Sequence, residues 1–145
     1  MDRKKLEKII KEEGNLKIFC HRGFTCVIKR PYYIVSRHEE LIHLCGYVYI
    51  PEKSILGKWA WDNRDKIQML NVHGGVTYFE CENGFVVIGF DTGHPMDISM
   101  YSELNDTTKQ YRDMHFMVEE TKKMVDDLLI MYATANGLKN SNGGD

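Results

Sequence analysis

Two histidines and two aspartates mark the stretch of this 145-residue chain where chemistry is most easily imagined. His73 precedes Gly74-Gly75, and Asp91, His94 and Asp97 follow at intervals of three. Paired imidazoles can serve as general base and general acid, and nearby carboxylates can fix their tautomers. Asp91, His94 and Asp97, with His73 as a fourth donor, also form a weaker alternative set of nitrogen and oxygen metal ligands. Gly74 and Gly75 offer backbone N–H groups for an anion. Tyr78 and Tyr111 offer rings and hydroxyls, and Arg112 can grip a phosphate in bidentate fashion. A histidine beside glycines is also an ordinary turn residue, and each of these residues has a purely structural reading.

One hairpin must position these groups. Val76–Cys81 and Phe85–Asp91 flank Asn83-Gly84, a favoured two-residue turn. Glu82 then pairs with Phe85, and counting back sets Cys81 against Val86, Phe79 against Ile88 and Thr77 against Phe90 on an apolar face. The other face carries Glu80 with Val87, Tyr78 with Gly89, and Val76 with Asp91. Continued past the strand ends, the count sets His73 opposite His94 on the core side. Asp91 falls on the reverse face, nearer Tyr78, so the four residues need not form one cage.

The remaining elements follow from pattern. Residues 2–13 read as a short helix with Leu6, Ile9 and Ile10 inward and Gly14 as its stop. Residues 16–20 and 24–30 read as strands around His21-Arg22-Gly23, and residues 32–43 are ambiguous. Leu44–Ile50 reads as a strand stopped by Pro51. Residues 51–72 form an excursion with a helical turn or two, in which Trp59 and Trp61 must pack. Residues 92–112 read as a loop. A long helix runs from about Met114 to Asn136 with Asp113 as N-cap. Its stripe of Met117, Val118, Thr121, Met124, Val125, Leu128, Leu129 and Tyr132 is core packing. The expectation is a single α+β domain over residues 1–139 with a disordered tail at 140–145. It has an antiparallel sheet, the long C-terminal helix packed on one face and the short N-terminal helix at an edge.

Bulk properties narrow the function. Net charge is −2, which gives no global attraction to nucleic acid. Residues 1–30 hold nine Lys/Arg against four Asp/Glu, most simply a solvated helix face. No apolar run reaches the ~18–20 residues of a membrane span. The N-terminus lacks a continuous apolar signal core, so the cytosol is expected. Cys20, Cys26, Cys45 and Cys81 are then free thiols. Cys26 or Cys45 as a nucleophile beside a histidine is a weaker possibility than Cys as a core residue. No cofactor is implied, and a homodimer is open.

The ordered set Cys45-Gly46-Tyr47-Val48, Val72-His73-Gly74-Gly75-Val76-Thr77-Tyr78, Gly89-Phe90-Asp91-Thr92-Gly93-His94-Pro95-Met96-Asp97 and Tyr111-Arg112-Asp113 resembles a widespread family of small proteins of tailed bacteriophages and prophages. The resemblance covers about residues 24–130. Family members often carry Cys-Ala-His-Ala-Gly-Asp where this chain has Thr92–Asp97, so the His and Asp are kept and the backbone is stiffer at Pro95. Members also often carry a His-Pro pair where Ser54-Ile55 stands here. The resemblance implies an accessory protein that acts on the host, with counter-defence as one common task.

Three functions are therefore expected in turn. The first is sequestration of a small nucleotide-type immune signal, using Tyr47, Tyr49, Tyr78, Trp59 and Trp61 for bases and Arg22, Arg30 and Arg112 for phosphates. The second is hydrolysis of such a signal with His73 and His94 as the acid–base pair and Asp91 or Asp97 orienting them. The third is direct inhibition of a host protein.

Overall fold

The computed structural model describes residues 2–30, 43–94, 96–98 and 109–137. The ambiguous stretch up to 42, Pro95, residues 99–108 of the following loop and residues 138–145, which include the expected tail, lie outside the described residues.

Helix α1 (Arg3–Glu13) starts where the Asp2 carboxylate accepts the Lys4 N–H at 3.0 Å and stops at Gly14, φ 82°. Strands β1 (Leu16–His21) and β2 (Phe24–Lys29) are joined by Arg22-Gly23, with φ of 51° and 86°. That left-handed pair is the backbone of a type I′ turn. Strand β3 (Cys45–Pro51) leads into helices α2 (Ile55–Asp62) and α3 (Arg64–Ile67). Strands β4 (Tyr78–Glu82) and β5 (Phe85–Asp91) form the second hairpin, again turned by a left-handed pair, Asn83 (49°) and Gly84 (86°). Helix α4 (Met114–Ala135) is capped by Asp113, whose carboxylate accepts the Phe116 N–H at 2.8 Å.

The five strands are all antiparallel, in the order β1-β2-β3-β5-β4. The hairpin register is the expected one, with Glu82 opposite Phe85 and Tyr78 opposite Gly89. The ladder begins at Tyr78 and not at Val76, and its last bond is Thr77 N–H to Gly89 O at 3.0 Å.

One face of the sheet is the core. Cys26, Ile28, Val48, Ile50, Val86, Ile88 and Phe90 pack there against Leu56 and Ala60 of α2 and Met117, Met124, Val125 and Leu128 of α4. Each large side chain buried this way contributes about 1.5–3 kcal/mol. The helical methionines are thus packing and not a ligand groove. Helix α4 comes close because Gly46 has no side chain: a Cβ there would stand 2.6 Å from Thr121 Oγ1 and 2.8 Å from the Phe90 ring. The tryptophans tie down the 51–72 excursion, Trp59 edge-on to Tyr132 and Trp61 against Phe79. Cys81 faces solvent on the edge strand, although its partner Val86 is buried, so alternation alone overstated its burial.

Helix α1 packs on a smaller cluster of Leu6, Ile98 and Tyr111. Beneath it the Glu13 carboxylate accepts the Arg30 guanidinium at 2.6 Å, the Tyr111 hydroxyl and the Met114 N–H at 2.9 Å. One buried carboxylate thus links α1, the end of β2 and the start of α4.

The thiols divide by burial. Cys26 and Cys45 lie inside the sheet, and desolvation pushes each thiol up to about 11. Alkylation of the native protein at pH 9 is expected to label Cys20 and Cys81 and to spare Cys26 and Cys45 until denaturant is added. Mass spectrometry of the labelled peptides reads this. Rapid labelling of Cys45 in the folded protein would contradict its packing.

Candidate functional site

The candidate site lies at one end of three adjacent strands: the residues before β3, those after β5 and those before β4. His73 stands in the turn closed by Gly75 N–H to Val72 O at 2.8 Å, with Gly74 and Gly75 at φ of 69° and 83°. Its own N–H donates to Glu120 Oε1 of α4 at 2.9 Å, and its ring meets Phe116 edge-on at 5.3 Å. After β5, the Asp91 carboxylate accepts the Gly93 N–H at 3.0 Å, and the chain folds back so that Asp97 N–H reaches His94 O at 2.9 Å. Asp97 is held by a short bridge to Gln110, with Ile98 N–H on Gln110 O and Gln110 N–H on Met96 O.

Asp97 is the hub. Its side chain is fully buried, and its oxygens lie 2.8 and 3.0 Å from His73 Nε2. Arg112 Nε donates to Oδ1 at 2.9 Å, and the His94 N–H donates to Oδ2 at 3.3 Å. The Arg112 guanidinium also reaches Gln110 Oε1 at 3.1 Å and lies over the Phe116 ring. The buried negative charge is therefore paired and hydrogen-bonded, as burial of a carboxylate requires.

The His73 and His94 ring centroids are 5.9 Å apart. They do not meet across a ladder, because pairing has ended; two turns bring them together. Asp91 keeps the reverse face that the count gives it, as the ladder partner of Cys45 beside core-facing Phe90; it is His94, expected on the core side, that curls back and sets Nε2 3.0 Å from Asp91 Oδ1. The approach is off the N–H axis, a close contact and not a directed hydrogen bond. Each imidazole thus has Nε2 against a carboxylate, which leaves Nδ1 as the second nitrogen of each.

Other expected site residues lie elsewhere. Tyr111 belongs to the Glu13–Arg30 cluster under α1, where burial, and then its bond to Glu13, raise its hydroxyl far above the ordinary tyrosine value. Tyr78 turns toward the hairpin tip, where its hydroxyl donates to Glu82 and its ring meets Tyr47 at 5.5 Å. The Gly75 N–H is spent on Val72, so Gly74-Gly75 presents no paired donors for an anion. Arg22 is paired with Asp126 at 2.7 Å and Arg30 with Glu13, so neither cation reaches the histidines. Among the described residues no three His, Cys, Asp or Glu side chains are arranged to hold a metal ion. Asp91 and Asp97 serve different imidazoles, which removes the metal set expected from spacing. Burial likewise removes Cys26 and Cys45 as nucleophiles.

Sequence reasoning missed His43, Phe116 and Glu120. The last two arrive with the docking of α4, which no local pattern encodes. His43 had a signal: β3 and β5 pair Cys45 with Asp91, and two further steps set His43 opposite Gly93. It is 6% exposed, and burial holds its pKa below the ordinary histidine value.

The fold and site define a small α+β protein with a histidine–carboxylate cluster at its strand ends. No family model, no curated protein and no solved structure matches the chain. Among the described residues no helix is long and apolar enough to cross a membrane.

Proposed function

We propose that this protein hydrolyses a phosphodiester in a small nucleotide-type signal of the host, as an accessory counter-defence protein of a phage. The observation that carries the reading is the pair of imidazoles 5.9 Å apart, each with Nε2 against its own carboxylate. One neutral ring takes a proton from water as its oxygen attacks phosphorus; the other, protonated, delivers a proton to the leaving oxygen as that bond breaks. Asp97 orients the His73 ring by hydrogen bonding, and Asp91 stands beside the His94 ring. The phage context comes from the resemblance of the motifs around residues 45–48, 72–78, 89–97 and 111–113. In this reading the protein works in the host cytosol, as monomer or homodimer, and engages neither membrane nor nucleic acid.

Sequestration without turnover is the second reading, favoured by the Tyr47–Tyr78 pair as a surface on which a base could stack. It is the weaker one, because Arg22, Arg30 and Arg112 are all committed to carboxylates. Direct inhibition of a host protein gains no specific support from the site.

Incubation with a panel of cyclic dinucleotides and cyclic oligonucleotides tests the proposal. Cleavage with a bell-shaped pH profile is expected, and His73→Ala and His94→Ala should each lower kcat about 10²–10⁴-fold. Intact ligand recovered from the denatured protein, with no product, supports sequestration instead. Full turnover by His73→Ala excludes the acid–base pair.

A further inference from the structure

Among the described residues, His43 is a buried ionisable group near the pair that the acid–base scheme leaves unused. Its Nδ1 is buried and has no hydrogen-bond partner. A buried donor left unmade costs about 1–3 kcal/mol, and orphan N–H groups are rarer than under-used acceptors. The proton therefore belongs on Nε2. The ring edge carrying Nε2 faces Gly93, an exposed residue of the loop after β5.

The space over Gly93 has a defined lining. A Cβ built there would stand 3.5 Å from His43 Nε2, 3.6 Å from Asp91 Oδ1 and 3.7 Å from His43 Cδ2. These are ordinary contacts, so a methyl group fits at Gly93, and among the described residues a donor, His43 Nε2, and an acceptor, Asp91 Oδ1, flank the space beyond it. That is the environment of an ordered water, which needs two to four polar partners.

We propose that His43 and Asp91 seat the attacking water over Gly93, with His43 as a neutral donor through Nε2–H. The proposal rests on the phosphodiester reading above and deepens it. The water accepts from His43 Nε2–H and donates one O–H to Asp91 Oδ1. One lone pair and one proton remain. The lone pair forms the new bond to phosphorus, and the proton goes to whichever imidazole of the His73–His94 pair is neutral. His43 gives up no proton and stays neutral throughout. Burial is the main reason it resists protonation; Arg30 and His94 push the same way, and Asp91 and Asp97 oppose them. An imidazole held neutral to lower pH than usual is suited to hold an oxygen in one place.

Two measurements test the seat. The first is NMR of the ring nitrogens in protein labelled with ¹⁵N-histidine, followed from pH 8 to about pH 5.5. The expected result is a His43 that carries its proton on Nε2 while neutral and takes up the second proton at lower pH than an ordinary histidine. A proton on Nδ1, or titration at the ordinary histidine value, overturns the proposal without reference to any substrate. The second is Gly93→Ala, which fills the seat without a forbidden contact or a left-handed backbone. It should keep the wild-type fold and thermal midpoint, shift the His43 Nε2–H signal and lower kcat about 10²-fold with KM within about twofold. His43→Ala should match it without moving either limb of the pH profile. Full turnover by Gly93→Ala overturns the water seat. If wild-type protein cleaves no member of the panel, the phosphodiester reading falls, and the ring-nitrogen signals in wild type and Gly93→Ala still decide whether His43 donates into this space.

Discussion

Asp97→Ala is expected to lose about 3–5 kcal/mol of folding stability, together with all detectable turnover. The carboxylate is fully buried and carries His73 Nε2, Arg112 Nε and the His94 N–H at once. Its removal leaves a guanidinium only a fifth exposed without its counter-charge, and breaking a half-buried pair costs more than the pair contributes. Arg112 retains some access to water, which places the loss toward the lower end of the range. Urea unfolding followed by circular dichroism measures the stability, and the cyclic-nucleotide assay measures turnover. Asp97→Asn separates the two roles. It keeps the shape and one acceptor, so it should lose less stability. It also offers His73 an amide in place of a carboxylate, so turnover should fall nearly as far as in Asp97→Ala. An Asp97→Asn protein with wild-type turnover would show that Asp97 braces the fold and does not tune His73.

Gly74→Ala is expected to lower kcat about 10²–10⁴-fold, as His94→Ala does, while the protein remains folded. Two effects act there. Position 74 is left-handed, φ 69°, which costs an L-residue about 1–2 kcal/mol. A Cβ would also stand 2.0 Å from His94 Nε2, so the ring must swing away from Asp91 and from His73. Gly75→Ala provides the control. Its φ of 83° imposes a similar backbone cost, yet a Cβ there meets nothing within 4 Å. Equal stability losses with turnover lost only at position 74 would isolate the geometry of the imidazole pair. Equal turnover in the two variants would mean that the position of His94 is irrelevant to the reaction.

The elements were legible because their signals are local. Asp113 acts as an N-cap, Gly14 ends α1, and Asn83-Gly84 fixes the second hairpin, each through hydrogen bonds or torsions within a few residues. The register of that hairpin followed from its turn, since a two-residue loop leaves one pairing. The approach of His73 to His94 was therefore visible from the sequence, although its cause was not. Extrapolating the ladder gave the right neighbours and the right face for Asp91, the partner of Cys45, but not the return of His94 to Asp91, because the count assumes extended backbone where Asp91 and Gly93 make a turn. Tyr111 was misplaced for a related reason. Its neighbour Arg112 does enter the site, but adjacent residues in extended chain point opposite ways, and Tyr111 turns to the Glu13 cluster.

The candidate site thus divides between two levels. Sequence by itself determined the α+β class, the hairpin, the stop of the first helix, the N-cap of the last and the nearness of two histidines, because each depends on torsions and periodicities that a short segment carries alone. Only the tertiary structure decided that Asp97 is the buried hub, that Arg112 is spent on it, and that His43 arrives beside Gly93 from the neighbouring strand. Those facts depend on the sheet order β1-β2-β3-β5-β4 and on where α4 docks. Both are set by long-range burial of apolar faces, which periodicity announces but does not assign to a partner.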